Sequence, residues 1–324
     1  MSSPIAPILG VLGGCMGCMV FVEKIAKQEP SSMNLMTFST FLFIASQGLI
    51  FTSKFFTVPN KIPLRGYIPT VITFFTVNVV NNQALNFHVP VPLHIIFRSG
   101  SLLANLLLSV ILLKKEYSLR KYLSVFAITI GIVICTLATS DLEKNSGLSY
   151  EEAVKHYHEW MIGIAMLIFA LLASAYLAIC QQRMYETYGK YPEEAMFVIH
   201  AVSLPLFSFM GADILAAAKK FNESAPFELG NVVLPVPSLW MNLFLSCALQ
   251  YYCIRFVYRL NAEVEALTVT LVVTLRKFLS LVVSIWWFQN PFTGQHWIGA
   301  FLVFAGTLAF ADIWSRKELE KKNK

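Results

Sequence analysis

Charge is what this sequence has least of. Only 14% of its 324 residues are charged and 56% are hydrophobic, against about 25% and about 45–50% in a soluble globular chain. A soluble interior of this size cannot hide so much apolar surface. A soluble domain is therefore excluded, and lipid must cover the excess. The apolar runs extend for about 20 residues, the length a helix needs to cross a bilayer. That is far longer than a barrel strand, and backbone in lipid must satisfy its own hydrogen bonds. The fold class read from these facts is an all-α integral membrane protein.

Further absences narrow the chemistry. There is no glycine-rich phosphate loop of the P-loop type and no HExxH. An ATP-driven pump would also need a nucleotide-binding domain for which the chain has no room. His156 and His158 bracket Tyr157 in an acidic stretch, but they form no recognisable ligand pattern. No metal and no cofactor are expected, and a membrane enzyme or scaffold is the weaker reading. The six cysteines all lie in apolar runs, and Cys15 and Cys18 form a CxxC pair. They read as small packed residues. The first apolar run lacks a basic flank and the chain stays apolar beyond it, which predicts no cleaved signal peptide.

The runs that are present predict about ten spans, near residues 4–22, 34–55, 66–86, 91–113, 119–139, 160–182, 194–216, 237–258, 263–287 and 295–315. They form one transmembrane domain over 1–324, with a first half at 1–140, a second at 160–315 and a tail at 316–324. Gly10, Gly13, Gly14 and Gly17 give two overlapping GxxxG patterns in the first span, a device for close helix packing. Sixteen of the 25 basic residues fall on the side shared by both termini and six on the other. Basic loops stay in the cytosol, so both termini are predicted to be cytosolic. The sequon at Asn222 falls on the opposite side, where glycosylation occurs. At an offset of 175 residues Ser118 meets Thr293, Tyr122 meets Trp297, Phe126 meets Phe301 and Gly131 meets Gly306. Two halves of five spans, an odd number, must enter the membrane from opposite sides. Such inverted repeats are a signature of secondary transporters.

Three cations stand where cations should not. Arg98 is seven residues into the fourth span, and Arg276 and Lys277 are near the middle of the ninth. An ionised side chain at that depth costs about 2.5–3.5 kcal/mol unless a cavity, partner or substrate compensates. Arg98 maps by the repeat to position 273, so the cations of both halves share one central cavity. A dianionic or trianionic ligand would neutralise them, with arginine forks gripping phosphate. The alternative is ion pairing of Arg276 or Lys277 with Asp213, Glu263 or Glu265. Around them lie Asn81, Asn82 and Asn86, which share a helical face, then Gln250, Tyr251 and Tyr252, and Thr270 and Thr274 on the approach to Arg276. Amides and aromatics of this kind suit a base or sugar. Helix-to-helix hydrogen bonding is the competing use.

Residues 81–118, NNQALNFHVPVPLHIIFRSGSLLANLLLSVILLKKEYS, and 268–297, TVTLVVTLRKFLSLVVSIWWFQNPFTGQHW, resemble the nucleotide-sugar transporters of solute carrier family 35. The resemblance covers nearly the whole chain and is strongest to the UDP-xylose and UDP-N-acetylglucosamine carriers of the B subfamily. It implies a ten-helix drug/metabolite-transporter fold in the Golgi or endoplasmic reticulum membrane. It also implies antiport of a cytosolic UDP-sugar against a nucleoside monophosphate, UMP. In that family basic residues of the fourth and ninth helices hold phosphate, here Arg98, Arg276 and Lys277. The paired asparagines ending the third helix match Asn81 and Asn82. The FYLNN and GALNK motifs of GDP-mannose carriers are missing, which disfavours guanine. Adenylyl-sulfate carriers of the same subfamily are the alternative. Lys321 and Lys322 resemble a dilysine retrieval signal for a vesicle coat. The partners expected are thus the two nucleotides, the bilayer, the coat and a second copy in a homodimer, with no nucleic acid.

Overall fold

A computed structural model describes residues 5–114, 116–144, 150–229, 232–263 and 266–311. The chain forms α1 (Ile5–Gln28), α2 (Met33–Phe51), α3 (Leu64–Gln83), α4 (Val91–Ser99), α5 (Ser101–Leu113), α6 (Leu119–Lys144) and α7 (Tyr150–Tyr188). It continues with α8 (Pro192–Ser203), α9 (Gly211–Asn222), α10 (Ser238–Glu263), α11 (Ala266–Phe288) and α12 (Gly294–Phe310). Seven helical segments among the described residues are long and apolar enough to cross a membrane, and α12 is a shorter apolar helix. α3 and α10 are not among the seven; they carry many of the asparagines, glutamines and tyrosines singled out above.

Among the described residues the ten apolar runs give twelve α-helices, because two runs break. The fourth divides at Gly100 into α4 and α5. Glycine is a poor helix former, and a Cβ there would lie 2.4 Å from Ile132 Cδ1 of α6. The seventh divides where Leu204–Met210 tighten into a 3-10 segment. Pro205, at its start, cannot donate a backbone hydrogen bond.

Other boundaries also move. α7 begins ten residues earlier than hydrophobicity indicates, because Glu151 and Glu152 sit in its first turn, where carboxylates suit the positive end of the helix. α1 runs on past residue 22 and takes Glu23 inside. The only strands among the described residues form a short antiparallel hairpin, β1 (Pro226–Leu229) with β2 (Val232–Pro237), in the connection before α10.

Two antiparallel helix pairs form the close-packed seams. In the first, α6 meets α12. A Cβ on Gly131 would lie 2.5 Å from the Gly299 carbonyl oxygen, one on Gly299 2.4 Å from Cys135 Sγ, and one on Gly306 2.9 Å from the Ser124 carbonyl oxygen. The matched glycines of the repeat, Gly131 and Gly306, thus lie in a single crossing. In the second seam α1 meets α10: Gly10, Gly14 and Gly17 face Phe256, Cys253 and Leu249, while Gly13 faces nothing within 4 Å. Cys15 of α1 is joined to Cys253 of α10 by a disulfide. The reading of these two cysteines as packing residues is therefore corrected, because 238 residues of sequence separate two positions that the helix crossing brings together. Cys18, Cys135, Cys180 and Cys247 are free.

Replacing Gly299 by leucine drives a side chain into backbone that cannot move aside. It is expected to destabilise the protein by about 1–3 kcal/mol. A lowered melting temperature of the purified variant checks this, with Gly13→Leu as the tolerated control.

Candidate functional site

The break at Gly100 shapes the cationic centre. Where α4 stops, the Phe97 carbonyl accepts from the Gly100 N–H at 2.9 Å, and the next carbonyl, of Arg98, lies at the negative end of the helix. Lys277 of α11 meets it: its Nζ donates to the Arg98 carbonyl oxygen at 3.2 Å. Arg98 lies in the same last turn, and its side chain is accessible in an internal chamber. Arg276 stands beside Lys277 and directs Nη1 at Cys253 Sγ, 3.7 Å away, while its Nε is buried with no partner.

Among the described residues no carboxylate lies within ion-pair distance of these three cations. Asp213 accepts instead from Asn34 Nδ2 at 3.3 Å. Glu265 and the side chain of Glu263 lie outside the described residues. Among the described residues the charge of the site is therefore not answered by a carboxylate, and a ligand or water can answer it.

The chamber holds about 130 Å³ and is lined by Cys18, Thr37, Thr40, Asn78, Asn81, Asn82, His94, Arg98, Ser246 and Gln250, among others. Its polar groups are tied across helices. Asn82 Nδ2 donates to Thr37 Oγ1 at 2.7 Å, His94 Nε2 to the Asn81 carbonyl at 3.0 Å, and the Cys18 thiol to Gln250 Oε1 at 3.2 Å. A second chamber of about 240 Å³ shares Thr40, Phe41, Asn78 and Gln250 with the first. It adds the Phe74, Tyr185 and His200 rings and the Gln181 amide. One cavity is cationic and amide-lined; its neighbour is aromatic and amide-lined. Together they suit a ligand with a phosphate end and a flat or hydroxylated end. A cleft of about 360 Å³ at the 52–61 turn has two lysines, Lys61 and Lys190, against Glu193 and Glu194, so it offers an anion no net attraction.

The fold brings Asn81, Asn82, Gln250 and Arg98 to one chamber, with Lys277 in contact at its edge. Other residues singled out in the sequence lie elsewhere. Asn86 falls in the 3-10 turn after α3 and donates to Gln83. Tyr251 packs against Phe43 and Tyr252, and Tyr252 is half exposed. Thr274 is buried in α11. The side chain of Thr270, and Lys321 and Lys322 altogether, lie outside the described residues. Asn222 ends α9 and accepts from Trp240 Nε1 at 2.8 Å.

Sequence reasoning missed Asn78, Thr37, Thr40, Ser246 and Cys18. For Asn78 a signal existed, since it is three and four residues before Asn81 and Asn82 on the same helical face. Ser246 likewise precedes Gln250 by one turn. Thr37, Thr40 and Cys18 had no such marker.

The chain matches the profile described as the UAA transporter family over residues 3–314. It is 45% identical to the nucleotide sugar transporter SLC35B4 of Homo sapiens and 46% identical to the UDP-xylose and UDP-N-acetylglucosamine transporter of Danio rerio. Both alignments cover 91% of this chain and 90% of the relative. It is 48% identical to the endoplasmic reticulum GDP-fucose transporter of Drosophila melanogaster, over 91% of this chain and 86% of that one. A relative this similar with a guanine nucleotide in its name weakens the argument that missing FYLNN and GALNK motifs disfavour guanine. A solved crystal structure superposes with a TM-score of 0.51 at 15% identity, covering 94% of this chain and 98% of its own. It shares the fold.

Truncating Arg98 or Lys277 to alanine removes a charge-assisted contact of about 1.5–3 kcal/mol. Binding of a phosphate-bearing anion such as UMP is expected to weaken roughly ten- to a hundredfold, read by ligand-dependent thermal shift. Tyr252→Ala is expected to bind as the parent does.

Proposed function

The chain belongs to the UAA transporter family, and from that membership we propose that it is a nucleotide-sugar antiporter. Its cargo is UDP-N-acetylglucosamine or UDP-xylose, exchanged for UMP across the Golgi or endoplasmic reticulum membrane. The observation that carries this reading is the cluster of Arg98, Arg276 and Lys277 inside apolar helices with no acidic partner among the described residues. A phosphorylated ligand supplies the missing negative charge, and its release restores the charge deficit. An empty cationic cavity resists reorientation and a filled one does not, so movement is coupled to occupancy in both directions. The phosphates lie against the cations. The base or sugar extends past Asn78 and Gln250 into the aromatic chamber.

In this reading the helices form ten spans in two inverted halves, 1–140 and 160–315. The antiparallel crossing of α6 and α12, whose glycines match in the repeat, supports that arrangement. Both termini face the cytosol, and the tail with Lys321 and Lys322 meets a vesicle coat. A homodimer is part of the same proposal.

The names of the zebrafish and human relatives favour UDP-sugars or nucleotide sugars generally. The similarity to the GDP-fucose transporter favours a second reading, a guanine nucleotide sugar. Adenylyl sulfate is the remaining alternative.

Proteoliposomes loaded with UMP distinguish these readings. Labelled UDP-N-acetylglucosamine, UDP-xylose, GDP-fucose and adenylyl sulfate are offered outside. UDP-sugar uptake is expected to rise several-fold with internal UMP. Uptake indifferent to internal nucleotide defeats exchange, and preference for GDP-fucose reassigns the base. Orientation is read in cells: an endoglycosidase-sensitive mass shift lost in Asn222→Gln places that loop in the lumen.

A further inference from the structure

One ionisable side chain buried among the apolar helices is outside the substrate site. Glu23 is only 2% exposed, and an acid so placed in a membrane helix is costly enough to call for a reason. It does not line the cationic chamber. Ser284 Oγ of α11 donates to its Oε1 at 2.9 Å, and the Asn290 amide, just past the end of α11, donates to the same oxygen. Asn290 Nδ2 also reaches Ser284 Oγ at 2.9 Å. One turn further along the same face of α1, Lys27 Nζ donates to the carbonyl oxygen of Phe288, the last residue of α11, and lies 5.3 Å from the centre of its ring. An acid and a base four residues apart on α1 therefore close on one end of α11.

That helix carries Arg276 and Lys277. Ser284 lies seven residues beyond Lys277, two turns along one face. The other polar contacts that α11 makes to neighbouring helices among the described residues are those of the cations themselves, Arg276 to Cys253 and Lys277 to the Arg98 carbonyl. An arriving anion competes for both. The contact with α1 is what remains, and α1 is joined covalently to α10 through Cys15 and Cys253.

We propose that Glu23, assisted by Lys27, is the positioning residue of the cation helix. It pins the far end of α11 to the α1–α10 pair, so that Arg276 and Lys277 meet the anion at a set depth and move when this clamp releases. The proposal rests on the transporter reading for its kinetic consequence and on geometry alone for the clamp.

The test compares Glu23→Ala with Glu23→Gln, which keeps an acceptor oxygen for Ser284 and Asn290. In UMP-loaded proteoliposomes, Glu23→Ala is expected to lower exchange turnover at least tenfold. Its half-saturation for external UMP is expected to stay within threefold of the parent. Glu23→Gln is expected to recover turnover to within threefold. The double variant Ser284→Ala with Asn290→Ala is expected to match Glu23→Ala and to add nothing to it. Parental turnover in Glu23→Ala overturns the proposal. So does a loss of turnover and affinity together that tracks a fall in melting temperature. A second measurement needs no substrate: amide hydrogen exchange over residues 284–292 is expected to accelerate in Glu23→Ala and to stay as in the parent in Glu23→Gln. Unchanged protection in Glu23→Ala overturns the clamp. If the parent exchanges no UMP while this segment loosens as expected, the clamp stands and the antiport assignment falls.

Discussion

A lysine ammonium held against the carbonyl end of a broken helix sets the rest of this structure in order. Inside apolar helices a cation is tolerated only where something negative or wet answers it. Here the partial answer is the Arg98 carbonyl, freed because α4 ends at Gly100. That contact satisfies one donor of Lys277 and leaves the net charge unneutralised. Arg276 is less satisfied still, with a disulfide sulfur as its neighbour and a buried Nε without a partner. Such a site is stable enough to exist and deficient enough to bind an anion. The same deficiency links binding to movement, because the low-dielectric surroundings that make the empty charge unfavourable also strengthen its attraction to phosphate.

Rigid seams surround this site. α1 and α10 are drawn together by glycines and a disulfide, and α6 and α12 by Gly131, Gly299 and Gly306. Backbones this close pack through van der Waals contact, the main source of helix association where lipid is as apolar as the side chains. α4 and α11, which carry the cations, share an apolar cluster and one polar contact, Lys277 on the Arg98 carbonyl, that a ligand can replace. The division between fixed seam and exchangeable contact is what a carrier needs. Binding energy then goes into moving a few elements rather than into disturbing the whole packed interior.

Much of this was legible in the residues. Arg98, Arg276 and Lys277 announced themselves because charge is so rare in the surrounding runs, and Asn81, Asn82 and Gln250 because amides are. Of these, Asn81, Asn82, Gln250 and Arg98 line one chamber, whereas Lys277 reaches only the Arg98 carbonyl and Arg276 turns to Cys253, so the expectation of one cavity lined by all three cations is not met. The breaks were harder to read. Gly100 and Pro205 sit in stretches whose hydrophobicity continues unbroken across them, so a hydropathy argument joins what backbone chemistry divides. Glu23 was placed at a span boundary because apolar character fades there. In fact the helix continues and buries it against Ser284 and Asn290. Tyr252 shows the converse: an aromatic residue beside Gln250 that the helix turns toward the outside.

The sequence by itself determined that this chain is helical, lives in lipid and carries three cations inside apolar runs. Each of those follows from composition, run length and the free energy of charge in hydrocarbon, and none of them depends on which helix touches which. Only the tertiary structure decided the partners: Cys15 with Cys253, Lys277 with the Arg98 carbonyl, Glu23 with the end of α11. These contacts join positions far apart in the chain, and helical periodicity governs only what lies within a few turns. Pairings between distant helices depend on how whole faces pack, and no local spacing encodes that.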